Sequence, residues 1–587
     1  MLRQYILRGS QSRQKVTGYV ASGRLHQLTR NHAPFRLIGT TARMGGGQSP
    51  PAINEREKNV QGPSVNTSTI KDRSGQKKSI NFLRGWPSTS LLPAEALRAA
   101  SQTALTDPKI WAPGLEYGPD PGYQPLREAL ARWLGRFYED VIPTASTDIS
   151  GVGGESWKEK GRDESRNANR ITITGGASQS LACLLQSYTD PARTLAIWIV
   201  APCYFLACPI FADAGFAGRM RAVPEDEEGV DIAVLEREMR ALETRRAAEA
   251  DAGPRSYKDP SPHRKIYRHV IYCVPAFSNP SGRTMTLARR EGLVDLARRH
   301  DALVVCDDVY DMLQWRVESL PSNSSSPPSS DAPKQDYNLH KALLPRVADI
   351  DIAKGRSPHD PPGKHFGHAV SNGSFTKLVA PGMRTGWTYS TADFAFGNSQ
   401  TGSTRSGGAA SQLAATIVCE LLPQGDGEKE CQLDTLIRET LVPSYARRHA
   451  LLTRAIRTEL VPLGVRMHEG SLLGCEDVYG GYFVWITLPD GKSTEKRKPW
   501  PTAQAIANRC RADEALMIGN GELFAVHGDE AAMRFENAIR FCFAWEDEDD
   551  LVDGVVRLGR VIRKMLDEGP ENWQTKSEGP RDLDQVK

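Results

Sequence analysis

The chain has 587 residues, 39% hydrophobic and 25% charged, an ordinary globular composition with room for roughly two to four domains. Those figures exclude a collagen-like repeat and wholesale disorder, and no stretch approaches the roughly 18 apolar residues that span a bilayer. The net charge of +3 is uneven: residues 1–54 hold seven Arg, one Lys and no acid, which leaves a mildly acidic body with no electrostatic reason to bind nucleic acid or an anionic membrane.

Residues 1–44, Arg-rich with Leu2, Tyr5, Ile6 and Leu7 interleaved, have the composition of a mitochondrial transit peptide; an unstructured leader on a cytoplasmic protein is the alternative. Residues 45–78 are rich in Gly, Pro, Ser and Lys and read as a disordered linker. Helices are expected over Pro93–Leu105, with Pro in the first turn, and over Leu126–Tyr138. From 171 onward, short runs rich in β-branched residues (Ile171–Thr174, Leu195–Val200, His269–Val274, Leu303–Asp307) alternate with helical stretches (Gln179–Tyr188, Val230–Leu242, Thr286–Arg299). That alternation predicts an α/β fold with a mostly parallel central sheet.

Helices at 411–421 and 433–460, strands at Tyr482–Leu488 and Ala538–Ala544, and a last helix at 549–567 predict a smaller α+β domain. The expected division is an N-terminal arm (79–125), a large domain (126–400), a small domain (401–570) and a polar tail (571–587). Polar insertions fall near 144–169, 245–266, 316–366 and 422–432, and the third carries a Ser/Pro-rich run, Pro321–Pro333, expected to be disordered. The ten Cys include no Cys-x-x-Cys pair and the twelve His no His-Glu-x-x-His, so free thiols and no metal site are expected.

The chemistry concentrates in Ser374-Phe-Thr376-Lys377-Leu-Val-Ala-Pro381-Gly-Met-Arg384. A lysine beside hydroxyls, seven residues before an arginine on a Gly/Pro-shaped loop, suits Schiff-base formation next to a clamped phosphate; read alone, such a lysine is ordinarily a solvated loop residue. Thr174-Gly-Gly176-Ala177-Ser178 follows a strand and opens a helix, a place where backbone N–H groups approach an anion, or simply a Gly-rich turn. Asp307 ends a buried strand with Tyr310 three residues on, where it can hold a ring nitrogen protonated or cap the next turn. Val274-Pro-Ala-Phe-Ser-Asn279-Pro280 follows another strand and reads as a site loop or an ordinary Asn-Pro turn.

These segments, in this order, resemble the fold-type I, pyridoxal-phosphate-dependent aminotransferases of class I/II, particularly the fungal 2-aminoadipate/aromatic branch, over roughly residues 79–567. The resemblance implies that Lys377 holds the cofactor covalently, that Asp307 pairs with its pyridinium nitrogen, and that Tyr310 and Asn279 bond its phenolate oxygen. It places Gly176, Ala177, Ser178, Ser374, Thr376 and Arg384 around the phosphate, Tyr204 on the ring, and Arg540 on the substrate α-carboxylate. Tyr117 matches a residue given to the neighbouring subunit's phosphate site, which implies a homodimer. The chain departs from the family at Thr376 (usually Ser), Ser278 (often Gln) and Ala177 (commonly a hydroxyl residue), and none of these removes a catalytic group.

The implied reaction moves an amino group from an amino acid to a 2-oxo acid such as 2-oxoglutarate, with Lys377 as general base. Residues Ile80–Pro87 match the strip that lines the family's substrate pocket, through Gly85 and its neighbours. Within it, Arg84 either meets a distal carboxylate or faces solvent, and Trp86 suits an aromatic ring. 2-Aminoadipate is the first expectation for the donor, with an aromatic amino acid or kynurenine as the alternative. A lyase reaction on the same cofactor and a non-enzymatic ligand sensor are further alternatives; the sensor needs a helix-turn-helix module, which the short polar segment 45–78 does not supply.

Overall fold

A computed structural model describes residues 77–142, 167–248, 256–258, 261–317, 341–425, 430–468, 477–490 and 499–573, all within one unit spanning Ser68–Lys587. The transit-peptide reading, the linker up to Gln76 and the run Pro321–Pro333 lie outside them. Among the described residues, no helix is long and apolar enough to cross a membrane.

In chain order the strands are β1 (Ile80–Asn81), β2 (Ile171–Thr174), β3 (Ala196–Ala201), β4 (Met220–Asp226), β5 (Gly229–Val230), β6 (His269–Cys273), β7 (Ala302–Asp307), β8 (Gln314–Arg316), β9 (Ala369–Ser374) and β10 (Gly386–Tyr389), followed by β11 (Arg466–His468), β12 (Val478–Gly480), β13 (Phe483–Thr487), β14 (Leu516–Met517), β15 (Gly519–Asn520) and β16 (Ala538–Cys542). An eight-stranded sheet has the order β2-β10-β9-β7-β6-β3-β4-β5. Strands β9, β7, β6, β3 and β4 run parallel, while β10 is antiparallel to both its neighbours. Successive side chains on a strand point to opposite faces. Trp198, Val200, Ile271, Val304 and Cys306 accordingly join one core, and Ile197, Ile199, Val270, Leu303 and Val305 another. Two covered faces explain why these strands read as unbroken apolar runs rather than alternating ones.

The main helices of the first part are α1 (Ala94–Thr106), α2 (Pro108–Leu115), α3 (Gln124–Tyr138), α4 (Ala177–Tyr188), α5 (Ile232–Ala248), α6 (Leu287–Arg299) and α7 (Val347–Ala353), and six more helices follow among the described residues, the last at Glu548–Glu568. A four-stranded antiparallel sheet, β11-β13-β16-β15, follows the large one in sequence. Strand β1 pairs in parallel with β14, Ile80 opposite Leu516, so the segment before Pro87 is tied to residues more than 400 positions later.

Four differences from the sequence reading have physical causes. Strand β9 escapes hydropathy because Ser371, Asn372, Gly373 and Ser374 are polar or small yet buried, and β10 because half of its four residues are Gly386 and the buried Thr388. Strand β4 escapes because Pro224 and two acids fall in its second half. Residues 316–366 are not one polar insertion, since α7 buries Val347, Ala348 and Ile350, and Phe366 is buried beyond it. The polarity there pairs internally: Arg346 donates to both Asp349 oxygens at 2.8 and 2.9 Å and lies over the Tyr138 and Tyr389 rings. The 245–266 insertion is likewise shorter, because α5 runs on to Ala248 and Lys265 is buried.

Candidate active site

The C-terminal ends of five strands of the large sheet converge on one cavity of about 320 Å³, the position where open α/β sheets build their sites. Strand β2 delivers Gly176, Ala177 and Ser178, β3 delivers Tyr204, β6 delivers Asn279, β7 delivers Asp307 and Tyr310, and β9 delivers Ser374, Thr376 and Lys377. Residue Arg540 on β16 and the strip Leu83, Gly85, Trp86 and Pro87 close the other side.

One end of the cavity is a cradle. Gly176 has φ +96°, a conformation that costs glycine nothing, and a Cβ there would stand 2.5 Å from Arg384 Nη2. The Arg384 guanidinium is fixed by Gly175 O and Pro381 O, both at 3.0 Å, and by Thr376 Oγ1 at 3.3 Å. Ser374 Oγ donates to Thr376 Oγ1 at 2.9 Å. With the α4 N-terminus starting at Ala177, the cradle presents hydroxyls, a guanidinium and a helix start to an anion.

At the other end, Asp307 is buried and accepts from Tyr272 O–H at 2.8 Å through Oδ2, while Oδ1 has no hydrogen-bond partner among the described residues. Burial pushes its carboxyl up to about 6. An orphaned buried acceptor at this place fits a protonated ring nitrogen, so the chain's residues fit pyridoxal phosphate at both its charged ends.

Lys377 Nζ donates to Gly85 O at 2.7 Å. Burial drives the amine down to about 8; Cys542 and Asp307 oppose the shift, and Arg540 adds to it. Arg540 Nη1 donates to Asn279 Oδ1 at 2.9 Å and Nη2 to Leu83 O, while its Nε has no hydrogen-bond partner among the described residues. The Arg540 guanidinium lies between Phe483 and Phe524, 4.3 and 4.7 Å from the ring centres. Burial also pushes the Tyr204 phenol up to about 12 and holds Tyr310 well above its usual range, so both are neutral O–H donors.

Two expected residues are not brought into this cluster. Arg84 does not line the cavity; its guanidinium is stacked between Trp86 and Trp545, 4.8 and 4.9 Å from their centres, because two indole faces outcompete an apolar wall for a cation. Tyr117 is 90% exposed and lines a separate surface hollow with Arg405 and Gly407. Sequence reasoning also passed over Tyr272, Asn372 and Tyr482. Asn372 Nδ2 donates to Ala177 O at 3.0 Å and so ties β9 to the cradle. Only Tyr272 left a trace in the sequence, two residues before the loop that carries Asn279.

A sequence profile of the family Aminotransferase class I and II matches residues 87–558. An uncharacterized protein of Saccharomyces cerevisiae is 32% identical over 83% of this chain and 97% of its own length. Aromatic-amino-acid aminotransferase 1 of Thermococcus litoralis is 24% identical over 83% and 88%. The crystal structure of the α-aminoadipate aminotransferase of Thermus thermophilus, complexed with N-(5′-phosphopyridoxyl)-L-leucine, shares the fold at a TM-score of 0.56 and 22% identity, over 84% of this chain and 93% of that one. With a profile match over most of its length and a cavity that suits a phosphate and a pyridinium ring, the chain belongs to the class I and II aminotransferases and is a pyridoxal-phosphate-dependent transaminase.

Proposed function

We propose that this transaminase draws its amino group from an amino acid with an aromatic or large apolar side chain and passes it to a 2-oxo acid. One observation carries the choice: every cation lining the cavity already has a task, and its side-chain wall is Leu83, Trp86, Phe205, Leu206, Val274 and Val309. A distal carboxylate placed against that wall would lose its water without gaining a partner. The aromatic aminotransferase among the relatives accords with this choice.

The roles then fall to individual residues. Lys377 would hold pyridoxal phosphate covalently, the cradle around Arg384 its phosphate, Asp307 its ring nitrogen, Tyr310 and Asn279 its phenolate oxygen, and Tyr204 its ring face. When bound, the cofactor supplies the electron sink that stabilises negative charge at the substrate Cα. Arg540 binds the donor's α-carboxylate as a fork and so aims the Cα–H bond. Freed from the cofactor, Lys377 Nζ takes the Cα proton, and a base near 8 has both the nucleophile and the conjugate acid at hand near neutrality.

A second reading, 2-aminoadipate as donor, rests on Arg84. Its Nε is buried without a hydrogen-bond partner among the described residues, and its neighbours Leu83 and Gly85 both line the cavity. Rotation of the guanidinium out of the Trp86–Trp545 stack would deliver a cation to a distal carboxylate. Following the cofactor's visible absorbance with single donors and no acceptor separates the two readings. Faster conversion by phenylalanine, tyrosine or kynurenine supports the first; faster conversion by 2-aminoadipate, lost in Arg84→Gln, overturns it.

We also infer a homodimer in which Tyr117 reaches the partner's phosphate cradle. Tyr117 is 90% exposed, and Leu105, Trp111 and Leu115 of α1 and α2 are exposed close to it in sequence, an apolar surface that suits a second copy.

A further inference from the structure

Lys377 is faced from every side by groups that set its behaviour. Asp307 comes from β7, Tyr310 from the turn after it, Arg540 and Cys542 from β16, the Gly85 carbonyl from the strip, and Tyr482 from the residue before β13. Tyr482 touches the lysine twice. Its ring centre lies 4.9 Å from Lys377 Nζ, nearer than the 5.9 Å of Tyr310, and its hydroxyl donates to the Lys377 backbone carbonyl at 3.4 Å. Tyr445 fixes that hydroxyl, the two phenol oxygens standing 2.9 Å apart. Tyr482 is fully buried yet does not line the cavity, so neither cofactor nor substrate accounts for it.

We propose that Tyr482, braced by Tyr445, is a positioning residue for the catalytic lysine: its ring face holds the Lys377 ammonium and its hydroxyl holds the Lys377 main chain. A ring quadrupole attracts the ammonium and not the neutral amine. Tyr482 thus opposes the burial that disfavours the charge, and keeps the amine aimed at the cavity whenever it is free. The inference rests on Lys377 being the cofactor lysine.

The test compares wild type with Tyr482→Phe, Tyr482→Leu and Tyr482→Met in the full-length chain. Leu and Met keep the site dry while removing the ring, and Met is the second choice should Leu unsettle the core. Stripped of cofactor, each protein is acetylated competitively across pH, and Lys377 labelling is read by mass spectrometry. Tyr482→Phe should keep the wild-type midpoint, whereas the ring-free variants should move it down by about one pH unit. In the loaded enzyme, kcat should fall several-fold in the ring-free variants with KM for the donor unchanged. An unmoved midpoint in Leu and Met, or an equal shift in Phe, overturns the role of the ring. Borohydride trapping of the cofactor in the same samples separates the two levels: an adduct away from Lys377 sinks the cofactor-lysine reading itself, while an adduct on Lys377 with equal midpoints sinks only the role of Tyr482.

Discussion

The carbonyl oxygen of Gly85 accepts a 2.7 Å hydrogen bond from Lys377 Nζ, a residue 292 positions further along the chain. The strip carrying Gly85 is pinned along its length: Phe82 N donates to Met517 O at 2.9 Å, Cys542 N to Phe82 O at 2.9 Å, and Arg540 to Leu83 O. The Lys377 amine, the Arg540 guanidinium and the pocket wall therefore share one short segment. A methyl group at Gly85 would stand 3.1 Å from Phe483 Cζ, tighter than ordinary contact. Gly85→Ala is expected to lower kcat about tenfold through misplacement of the amine, with cofactor retention after dialysis unchanged.

Lys377→Ala should abolish covalent retention of the cofactor and reduce turnover by about 10³-fold or more, the size of a lost general base together with its anchor. Because burial lowers the free amine to about 8, the proton-transfer step should quicken as pH rises through 8 and level off above it. Single-turnover kinetics from pH 6.5 to 9.5 read this directly.

Asp307 gives a prediction of opposite sign for stability and function. Burial raises its carboxyl from the ordinary 3.8 to about 6, so the cofactor-free fold carries no penalty below about pH 4 and the full penalty above about pH 6. Asp307→Asn should therefore stabilise the cofactor-free protein at pH 7 by on the order of 2–3 kcal/mol, with no gain at pH 4. Turnover of the loaded variant should drop on the order of 10²-fold, because the charge that keeps the ring nitrogen protonated is gone. Urea unfolding at the two pH values, together with kcat, checks both halves.

Gly176→Ala should strike the phosphate cradle. The position needs φ +96°, and the new Cβ would lie 2.5 Å from Arg384 Nη2. A cost of about 1–3 kcal/mol in stability is expected from the backbone alone, and the displaced guanidinium should let cofactor escape on dialysis. Absorbance of the retained cofactor and the thermal midpoint report the two effects separately.

The proposed exchange of Tyr117 between subunits can be tested by mixing. Tyr117→Ala and Lys377→Ala proteins, each inactive alone, should regain turnover once their subunits exchange, because a hybrid dimer holds one complete site. No recovery under conditions where sedimentation shows exchanged dimers would refute the exchange.

The sequence by itself determined the α/β alternation, because β-branched runs buried on both faces read as unbroken apolar strands, and four motifs in order carried the resemblance to the family and, through it, to the cofactor. It did not disclose β9 and β10, where Ser371, Asn372, Ser374 and Thr388 are polar yet buried. Only the tertiary structure decided where the cations go. The resemblance put Arg540 on the α-carboxylate and left Arg84 between a distal carboxylate and solvent, whereas in the structure Arg84 is held between two indoles and Arg540 lies between two phenyl rings with a guanidinium nitrogen on Asn279. Those surroundings assemble from distant segments, Trp545 against Arg84 and Asn279 261 positions from Arg540, and no local pattern encodes contacts made across such distances.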